Sequence, residues 1–486
     1  MTIKDLEPKI VWNNFYGLTQ IPRPSKHEEK VIEYLYNWGK AKGLETIKDE
    51  TGNIIIRKPA TKGYENRRGV ILQGHMDMVP QKTAQTQHDF LKDPIKTKIV
   101  GEWVAAEGTT LGADNGIGVA LALSVLEDDT LEHGPIEVLV TYDEETGMTG
   151  AHKLAPGLFK GDIFLNLDSE TEGELCIGCA GGLDGTADFK YRSYATPAGV
   201  EAYKIVIKGL HGGHSGMDIA EGYANANKIL ARVLLPLVFE HGVKVAEIKG
   251  GSLRNAIPFE AEAVVLVPAA EVKAVKKAVD GIFSTVKFEF QHTDPAGEYH
   301  FTKQASVPAR FIQDSVMRRV IKAVLACPNG VKRMSDTMPG LIETSTNLAI
   351  IRQEKGHIKV QSLMRSAVDS AKEFFSEEMR AVFELAGATF TTSGGYCGWT
   401  PKPDTPVYDV VKKVWKDFSG KDMAVVATHG GLECALLGAK YPNWEMVSVG
   451  PTIVHPHSPD ERVKIDTVAN AWTFLKALLK EIPVRK

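Results

Sequence analysis

The sequence predicts an α/β protein in which a mostly parallel sheet with flanking helices is interrupted by a large α+β insertion. Apolar, β-branched runs such as VILQGH and IEVLVT alternate with helical stretches in the first part of the chain, as is typical of parallel sheets. After GCAGGLDG (178–185) the strand-like runs alternate apolar with polar residues, which is typical of antiparallel strands. The chain of 486 residues is also too long for one ordinary core.

These changes of pattern predict two domains. Residues 1–181 and 396–486 form one discontinuous domain, and residues 182–395 form the insertion. Inside the insertion, SLRNAIPFEAEAVVLV precedes a helix predicted at 269–286, and GHIKVQSLMRSAVDS precedes another at about 370–386. This repeated strand–helix unit predicts that the insertion consists of two fused ferredoxin-like halves.

Local signals predict the first elements of the chain. SKHEEKVIEYLYNWGKAKG predicts a helix with Ser25 as its N-cap and Glu28 completing a capping box. NIIIR (53–57) and GVILQGHMDMV (69–79) read as strands, because they are short, apolar and β-branched. LGADNGIGVALALSVLE (111–127) predicts a loop that leads into an apolar helix.

Composition and charge exclude several classes of protein. The net charge is only −4, and no Lys/Arg-rich run occurs, so we expect neither nucleic acid nor an anionic membrane as a partner. The N-terminus does not resemble a signal peptide, and no apolar stretch approaches a membrane span. We therefore expect a cytoplasmic protein. Five cysteines do not suggest a disulfide framework, and CIGC (176–179) is interpreted as a buried pair.

Residues that can bind metals follow four apolar runs that are far apart in the sequence. The carboxyl ends of strands in an open α/β sheet meet at one edge, so these side chains are expected to converge and form a metal site. His75 and Asp77 are two residues apart and point the same way in extended backbone, which suits a histidine ligand held by a carboxylate. The candidate residues are His75, Glu144, Glu145, Asp168 and one of His455 and His457, with Asp114 in a glycine-flanked turn.

The run DEE at 143–145 has two interpretations. Taken alone, three adjacent carboxylates after a strand indicate an acidic surface turn. Burying them is costly unless positive charge is nearby. The other metal-binding residues at strand ends favour the second interpretation, a site that holds cations.

Several motifs, in this order, resemble the M20 metallopeptidases: GHMDMV, LGADNG, DEETG, NLDSE and HPHSPDE. Within that family the chain most resembles the bacterial aminoacyl-histidine dipeptidase branch, also called Xaa-His dipeptidase or peptidase D. The resemblance covers essentially the whole chain, including IPRPSKHEE near the start and LHGGHSG in the insertion. It implies a dinuclear metallopeptidase domain interrupted by a lid domain through which two subunits form a homodimer.

The resemblance implies two divalent metal ions. Three carboxylates and a bridging hydroxide would balance their charge. Two imidazoles among oxygen ligands suit zinc, with cobalt or manganese as alternatives. His457 is preferred over His455 because it directly precedes SPDE. Asp114 would bridge the ions, with His75 and Asp168 on one and Glu145 and His457 on the other.

The same resemblance divides the adjacent glutamates by role. Glu145 would bind metal, and Glu144 would be the general base that activates a metal-bridging water and passes the proton to the leaving amine. Asp77 would support His75. Asp143 has no role in this scheme and is predicted to belong to the surface.

Lid residues implied by the resemblance would bind substrate. His214 in LHGGHSG would stabilise the oxyanion, with His211 as the alternative and a structural glycine-rich turn as a third interpretation. Arg365 and Asn255 would hold the substrate carboxylate. Arg254 is the alternative to Arg365 for this role. The remaining candidates are Gly430 and Gly431, for the same pocket, and Glu433, for the substrate ammonium or as an ordinary helix-start residue.

The implied activity is hydrolysis of dipeptides with free amino and carboxyl ends, with a preference for Xaa-His, including β-alanyl-histidine. An N-acyl amino acid deacylase or a tripeptidase would share the same metal ligands. A non-catalytic scaffold would be expected to lack the base or a ligand. Dinucleotide and ATP binding are not supported, since the chain lacks GxGxxG and GxxxxGK[ST].

Overall fold

A computed structural model describes residues 2–485 of the chain. The α-helices are α1 (Lys9–Thr19), α2 (Glu29–Ala41), α3 (Ala113–Glu127), α4 (Glu144–Gly147), α5 (Thr149–Lys153), α6 (Ala226–Phe239), α7 (Val272–Glu289), α8 (Asp314–Ala326), α9 (Asp369–Leu385), α10 (Pro406–Ser419), α11 (Glu433–Lys440) and α12 (Ile465–Glu481). The β-strands are β1 (Glu45–Lys48), β2 (Ile54–Lys58), β3 (Val70–His75), β4 (Thr97–Val100), β5 (Trp103–Ala106), β6 (Ile136–Thr141), β7 (Ile163–Asn166), β8 (Glu174–Cys179), β9 (Gly181–Lys190), β10 (Ser193–Ala195), β11 (Val200–Lys208), β12 (Lys244–Gly250), β13 (Ala261–Pro268), β14 (Glu298–Lys303), β15 (Arg310–Ile312), β16 (Gly330–Met334), β17 (Ile342–Glu354), β18 (His357–Ser366), β19 (Thr389–Tyr396), β20 (Ala424–Thr428), β21 (Glu445–Ser448), β22 (Ile453–Val454) and β23 (Arg462–Lys464).

The chain divides into two compact units. The first contains the residues up to Gly178, Pro401–Ala427 and the residues from Leu432 onward. The second contains Cys179–Thr400 together with Thr428–Gly431. The sequence pattern placed the boundaries after residues 181 and 395, and the two units change after Gly178 and Thr400. The segment Thr428–Gly431 differs, because it packs with the second unit, whereas its position in the sequence placed it in the first domain.

The first unit is built on a sheet in the strand order β1-β2-β6-β3-β7-β21-β8-β20. Its central strands β6, β3, β7 and β21 run parallel, and β1, β2 and β8 pair antiparallel with their neighbours. Strands β3, β6 and β7 are buried along their whole length, as expected for parallel strands covered on both faces. The predicted α/β architecture is confirmed, and the carboxyl ends of the central strands share one edge.

The second unit contains two ferredoxin-like halves joined edge to edge. One half has the order β11-α6-β12-β13-α7-β14 along the chain, and its strands lie in the order β14-β11-β13-β12. The other combines β9 with α8-β17-β18-α9-β19, in the strand order β17-β18-β9-β19. Strands β12 and β17 pair and join the halves. The predicted duplication is present, but the halves are interleaved rather than consecutive, because the first is inserted between β9 and α8 of the second.

The predicted helix near the N-terminus is present, but its predicted capping by Ser25 and Glu28 is wrong. Helix α2 begins at Glu29, its N-cap residue is Glu28, and no side chain caps it. Ser25 does not cap the helix, because its hydroxyl donates instead to Asp77 at 2.8 Å. A long-range partner has therefore replaced the local capping bond.

The structure also describes the surroundings of the CIGC cysteines and the length and polarity of the helices. Cys176 and Cys179 of the CIGC motif are buried, as predicted. Between residues 2 and 485, none of the helices combines the length and the apolar character needed to cross a membrane.

Candidate metal centre and active site

The parallel strands of the first unit bring the predicted ligands to one edge of the sheet. His75 is the last residue of β3, Glu144 and Glu145 open α4 just after β6, and Asp168 lies two residues beyond β7. His457 lies in the loop that follows β22, with a left-handed φ of 59°. Strand direction therefore explains why residues almost 400 positions apart in the chain meet in one cluster.

Asp114 lies between two histidines. Its Oδ1 is 3.1 Å from Nε2 of His75, and its Oδ2 is 3.0 Å from Nε2 of His457. Each histidine also meets a second carboxylate: Asp168 Oδ1 is 3.5 Å from His75 Nε2, and Glu145 Oε2 is 3.0 Å from His457 Nε2. Asp114 therefore lies between two pairs, each made of one histidine and one carboxylate.

The loop that carries Asp114 is held by Glu461. Both oxygens of this buried carboxylate accept backbone N–H groups, from Leu111 at 2.7 Å, Gly112 at 2.9 Å, Ala113 at 2.7 Å and Asp114 at 3.2 Å. Gly112 adopts a left-handed φ of 70°, which glycine allows without strain. Glu461 therefore fixes the start of α3, where Asp114 turns towards the histidines.

The buried guanidinium of Arg23 supports the same loop from another side. It donates to the backbone carbonyls of Met76 and Asp77 at 2.9 Å and to that of Gly112 at 2.5 Å. A Cβ at Gly112 would lie 2.5 Å from the Arg23 guanidinium, so a glycine is needed for this close approach. Arg23 thus ties the segment after β3 to the loop before α3.

Asp77 supports both His75 and the glutamate turn. Its Oδ1 lies 3.3 Å from His75 Nδ1 and accepts the backbone N–H of Glu144 at 3.0 Å. Its Oδ2 accepts the N–H of Glu145 at 3.2 Å and the Ser25 hydroxyl. One carboxylate therefore fixes the orientation of a histidine ligand and the position of the two adjacent glutamates.

The adjacent glutamates differ in their contacts. The carboxylate of Glu145 is 5% exposed and meets His457. The carboxylate of Glu144 makes no hydrogen bond or ion pair with any residue between 2 and 485, and only its backbone N–H is engaged, by Asp77. Glu144 is therefore free to act on a bound molecule, while Glu145 belongs to the cluster around Asp114.

Asp143 contradicts the surface role expected for it. Its side chain is 1% exposed, and it accepts hydrogen bonds from the hydroxyls of Thr146 and Thr149. Lys26 donates to it at 3.2 Å. Asp143 has a left-handed φ of 52°, so the chain turns sharply there and buries the side chain instead of exposing it.

The electrostatics of the cluster favour added positive charge. Hydrogen bonds to Asp114 and Glu145 raise the pKa of His457 to about 11. Burial raises the pKa of Glu144 well above its usual value and raises that of Asp168. Burial alone would lower the pKa of His75, but the neighbouring carboxylates, Asp168 first, raise it well above its ordinary value. A site that holds protons this strongly is suited to divalent cations.

The donor set fits a pair of divalent metal ions. It offers two imidazoles and three carboxylates, a mixture that zinc, cobalt and manganese accept. Oε1 of Glu145 is buried, and no hydrogen-bond donor within residues 2–485 reaches it. A buried carboxylate oxygen in this state is costly unless a cation or proton binds it.

Glu433 starts α11, but it is not an exposed helix-start residue. It is 1% exposed, and its Oε2 accepts the Thr141 hydroxyl at 2.5 Å and Gln73 Nε2 at 2.7 Å. Gln73 in turn accepts Asn166 Nδ2 at 2.6 Å. Burial raises the pKa of Glu433 to about 8. The residue therefore ends a buried polar network that links the central strands β6, β3 and β7.

Within the second unit, three predicted substrate-binding residues lie around Ser215. The backbone N–H of Ser215 donates to the carbonyl of Asn255 at 2.8 Å, and Arg365 Nε lies 3.4 Å from its hydroxyl. His214 precedes it and pairs with Ala256 across an isolated β-bridge. Arg365 is 4% exposed and also donates to the Tyr396 hydroxyl at 3.2 Å.

The alternative lid residues have structural partners. Arg254 donates to the carbonyls of Gly185 and Ser362 at 2.9 Å and 3.1 Å and to the Thr186 hydroxyl at 2.8 Å. Its guanidinium is therefore used within the sheet. His211 stacks on Tyr223 with 4.1 Å between ring centroids. These contacts engage both Arg254 and His211 within the second unit.

His429 is a residue of this group that the sequence analysis missed. It belongs to the second unit with Gly430 and Gly431, is 6% exposed, and its Nε2 lies 2.6 Å from the Ser345 hydroxyl. Burial first, and then nearby Arg365, lower its pKa to about 4. The motif HGGLEC contained the signal, since His429 is its first residue. Glu461 and Arg23 were missed as well, because their partners are backbone groups far away in the sequence.

The fold and the grouping of candidate metal-binding side chains at one edge of the sheet are typical of a metal-dependent hydrolase. The profile of peptidase family M20/M25/M40 matches residues 71–481. The chain therefore belongs to this peptidase family and is a peptide hydrolase.

Two relatives are similar to this chain in sequence over its full length. The cytosol non-specific dipeptidase of Escherichia coli (strain K12) is 44% identical over 483 residues, which is 99% of either chain. The crystal structure of an aminoacylhistidine dipeptidase from Vibrio alginolyticus is 45% identical, with a TM-score of 0.90, and the match covers 100% of this chain and 99% of that one. The aminopeptidase PepT of Bacillus cereus, at 16% identity and a TM-score of 0.57 over 98% and 99% of the chains, shares the fold.

Proposed function

We propose that this protein is a dinuclear metallodipeptidase that hydrolyses dipeptides with free amino and carboxyl ends and prefers Xaa-His substrates. The observation that carries the proposal is Asp114, which directs one oxygen to His75 at 3.1 Å and the other to His457 at 3.0 Å. A carboxylate in this position suits a bridge between two cations. The dipeptidase names of the two full-length relatives support a dipeptide as the substrate, and the name of the Vibrio alginolyticus enzyme supports the preference for Xaa-His.

The metal site would contain zinc, or cobalt or manganese, held by the five clustered side chains. Bound ions would polarise the scissile carbonyl and lower the pKa of the attacking water. His75 and Asp168 would hold one ion, Glu145 and His457 the other, and Asp114 would bridge them. The three carboxylates of this set compensate for much of the positive charge, which makes burial of the pair tolerable.

Glu144 would act as the general base. Its carboxylate has no partner among residues 2–485 and adjoins the ligand Glu145, so it can take a proton from the attacking water. It would then give the proton to the leaving amine. Asp77 acts on the reaction indirectly: it orients His75 and fixes the backbone of Glu144 and Glu145.

The second unit would supply the groups that recognise substrate. Arg365 would bind the C-terminal carboxylate through its planar guanidinium, with Asn255 beside it. His214 would donate to the developing oxyanion, and the backbone of Gly430 and Gly431 would line the same pocket. These roles rest on the family resemblance and on the grouping of His214, Asn255 and Arg365 around Ser215.

Glu433 is proposed to bind the substrate ammonium. Its Oε2 already accepts two hydrogen bonds, whereas no donor within the described part of the chain reaches its buried Oε1. That oxygen is the one left for an amino group. Replacement by glutamine should raise KM for dipeptides more than for N-acetylated dipeptides, whereas a purely supporting role would lower kcat for both equally.

The first experiment compares β-alanyl-histidine, its N-acetylated form, a dipeptide without histidine and a tripeptide, on chelated protein with zinc, cobalt or manganese restored. We expect metal-dependent cleavage of free dipeptides, fastest for β-alanyl-histidine. Cleavage of the acetylated form alone would indicate a deacylase, and preference for tripeptides would indicate a tripeptidase. Equal rates for all free dipeptides would contradict the Xaa-His preference but not the dipeptidase assignment.

We also propose that the enzyme is a cytoplasmic homodimer formed through the second unit. The family resemblance alone motivates the dimer, and the name of the cytosol dipeptidase of Escherichia coli supports the location. Light scattering coupled to size-exclusion chromatography should give a particle of twice the chain mass. A monomer at micromolar concentration would contradict the dimer.

A further inference from the structure

A second group of carboxylates lies beside the candidate metal centre in the first unit. One oxygen each of Glu28, Asp77 and Asp143 lies within 4.8 Å of the others. All three residues are buried, at 0%, 0% and 1% exposure. None of the three belongs to the ligand set around Asp114. Burying three carboxylates together is unfavourable unless a positive charge compensates for them.

Glu28 is the member of the group whose carboxylate makes no stabilising contact within residues 2–485 that explains its burial. It is the N-cap residue of α2, yet its carboxylate does not cap that helix. Both of its oxygens are buried, and no donor among residues 2–485 reaches them in hydrogen-bonding geometry. Burial raises its pKa to about 7, although the backbone N–H groups of Lys26 and Glu28 favour its charged form. The side chain instead points at Asp77 and Asp143.

The charges around the group do not balance. Lys26 lies 3.2 Å from Asp143, and its side chain is 60% exposed. The hydroxyls of Ser25, Thr146 and Thr149 donate to the cluster but carry no charge. When all three carboxylates are ionised, they and the one ammonium leave two negative charges, which is the charge that one divalent cation neutralises. His75 also touches Asp77, but its other nitrogen faces Asp114.

We propose that Glu28, Asp77 and Asp143 form a further cation site for one divalent ion that prefers oxygen ligands, of the Ca²⁺ and Mg²⁺ class. The candidate ligands are carboxylate oxygens without an imidazole or thiolate of their own, which suits hard cations rather than zinc. A surface depression whose lining includes Lys26, Lys153 and Asp143 borders the group on the side of Asp143. The site is separate from the catalytic metals and does not depend on the proposed substrate.

The site would act on the catalytic centre through shared residues. Asp77 supports His75 and the backbone of Glu144, and Asp143 directly precedes Glu144 in the chain. An ion that joins these two carboxylates to Glu28 would anchor the turn that carries the base. Its role would be to position that turn rather than to take part in hydrolysis.

The test measures Ca²⁺ binding to the zinc-saturated, full-length protein by equilibrium dialysis with radioactive calcium, while zinc content is followed by elemental analysis. We expect one Ca²⁺ per chain and unchanged zinc. Glu28→Gln should weaken Ca²⁺ binding by more than tenfold, because affinity follows the number of charged ligands. Glu29→Gln is the matched control: the neighbouring glutamate is exposed at the start of α2 and should bind Ca²⁺ as the natural protein does.

A variant expected to bind Ca²⁺ more tightly distinguishes a specific effect on the site from misfolding. Lys26→Met keeps the length of the side chain but removes the ammonium beside Asp143, so Ca²⁺ should bind several-fold more tightly. A damaged protein would not show this gain. The proposal would be overturned if the natural protein bound no Ca²⁺ at millimolar concentration, or if Glu28→Gln and Glu29→Gln bound it equally. Absence of binding together with a higher melting temperature for Glu28→Gln would show that a proton neutralises Glu28.

Discussion

Asp77 accepts the backbone N–H of Glu144 at 3.0 Å through the same oxygen that lies 3.3 Å from His75 Nδ1. One carboxylate oxygen therefore couples a metal-binding histidine to the position of the candidate base. This relationship explains why a chain would place an aspartate two residues after His75 and bury it completely. It also predicts that changes at Asp77 affect both metal affinity and catalysis.

Replacing Asp77 by asparagine should weaken metal binding. The amide keeps the shape but loses the negative charge beside His75, and loss of such supporting partners typically costs about 10–100-fold in metal affinity. Competition with a chromophoric chelator measures the change. Asp162→Asn, at a carboxylate paired with Arg68 at 3.1 Å, serves as a control that should leave metal affinity unchanged.

Replacing Glu144 by glutamine should abolish hydrolysis without loss of metal. The amide cannot accept a proton, and general-base contributions are about 10²–10⁴-fold, so kcat should fall by at least that range. Elemental analysis should show normal metal content, since Glu144 contacts none of the ligand side chains by hydrogen bond or ion pair between residues 2 and 485. Loss of metal in this variant would identify Glu144 as a ligand.

Replacing Glu461 by glutamine should loosen the loop that carries Asp114. The amide has one acceptor oxygen, and its NH₂ would face N–H groups, so about half of the four backbone bonds would be lost. We expect metal affinity to fall by about 10-fold or more and unfolding free energy to fall by about 1–3 kcal/mol. Asp460→Asn, an exposed neighbour, is the control, and identical behaviour of the two variants would argue against a positioning role.

Replacing Arg365 by lysine should raise KM for dipeptides. The point charge of lysine cannot reproduce the bidentate geometry of the guanidinium, and a charge-assisted hydrogen bond contributes about 1.5–3 kcal/mol, so an increase of about 10-fold or more is expected. C-terminally amidated dipeptides should be affected little. Arg254→Lys should instead lower stability and leave KM unchanged, and the opposite pattern would identify Arg254 as the carboxylate-binding residue.

His429 should make the second unit sensitive to acid. Burial and nearby Arg365 and His214 lower its pKa from 6.5 to about 4, so the folded protein keeps this histidine neutral. The unfolded chain binds the proton more readily, and stability present above pH 6.5 is lost as pH falls towards 4. Urea unfolding of His429→Gln should depend less steeply on pH in this window. Equal slopes for both proteins would contradict the assignment.

The candidate metal-binding residues and their convergence at one edge of the sheet could be predicted from sequence because the relevant information is local. A strand and the histidine or carboxylate at its end can both be recognised within a few residues of sequence, as at His75 and Asp168. The order of the strands then follows from general rules for parallel sheets. The same reasoning failed at Asp143 and Ser25, whose local signals indicated a surface turn and a helix cap. Distant partners, Lys26 for Asp143 and Asp77 for Ser25, replaced the local interactions.

The sequence by itself determined the α/β class, the family, the two repeated halves of the insertion and the residues able to bind metal. Only the tertiary structure decided that the halves are interleaved, that Thr428–Gly431 packs with the second unit, and that Glu461 and Arg23 hold the Asp114 loop. The physical reason is the range of the interactions. Side-chain chemistry and the spacing of apolar residues can be read from neighbouring residues. Burial and hydrogen-bond partners depend on contacts between residues that are far apart in the sequence.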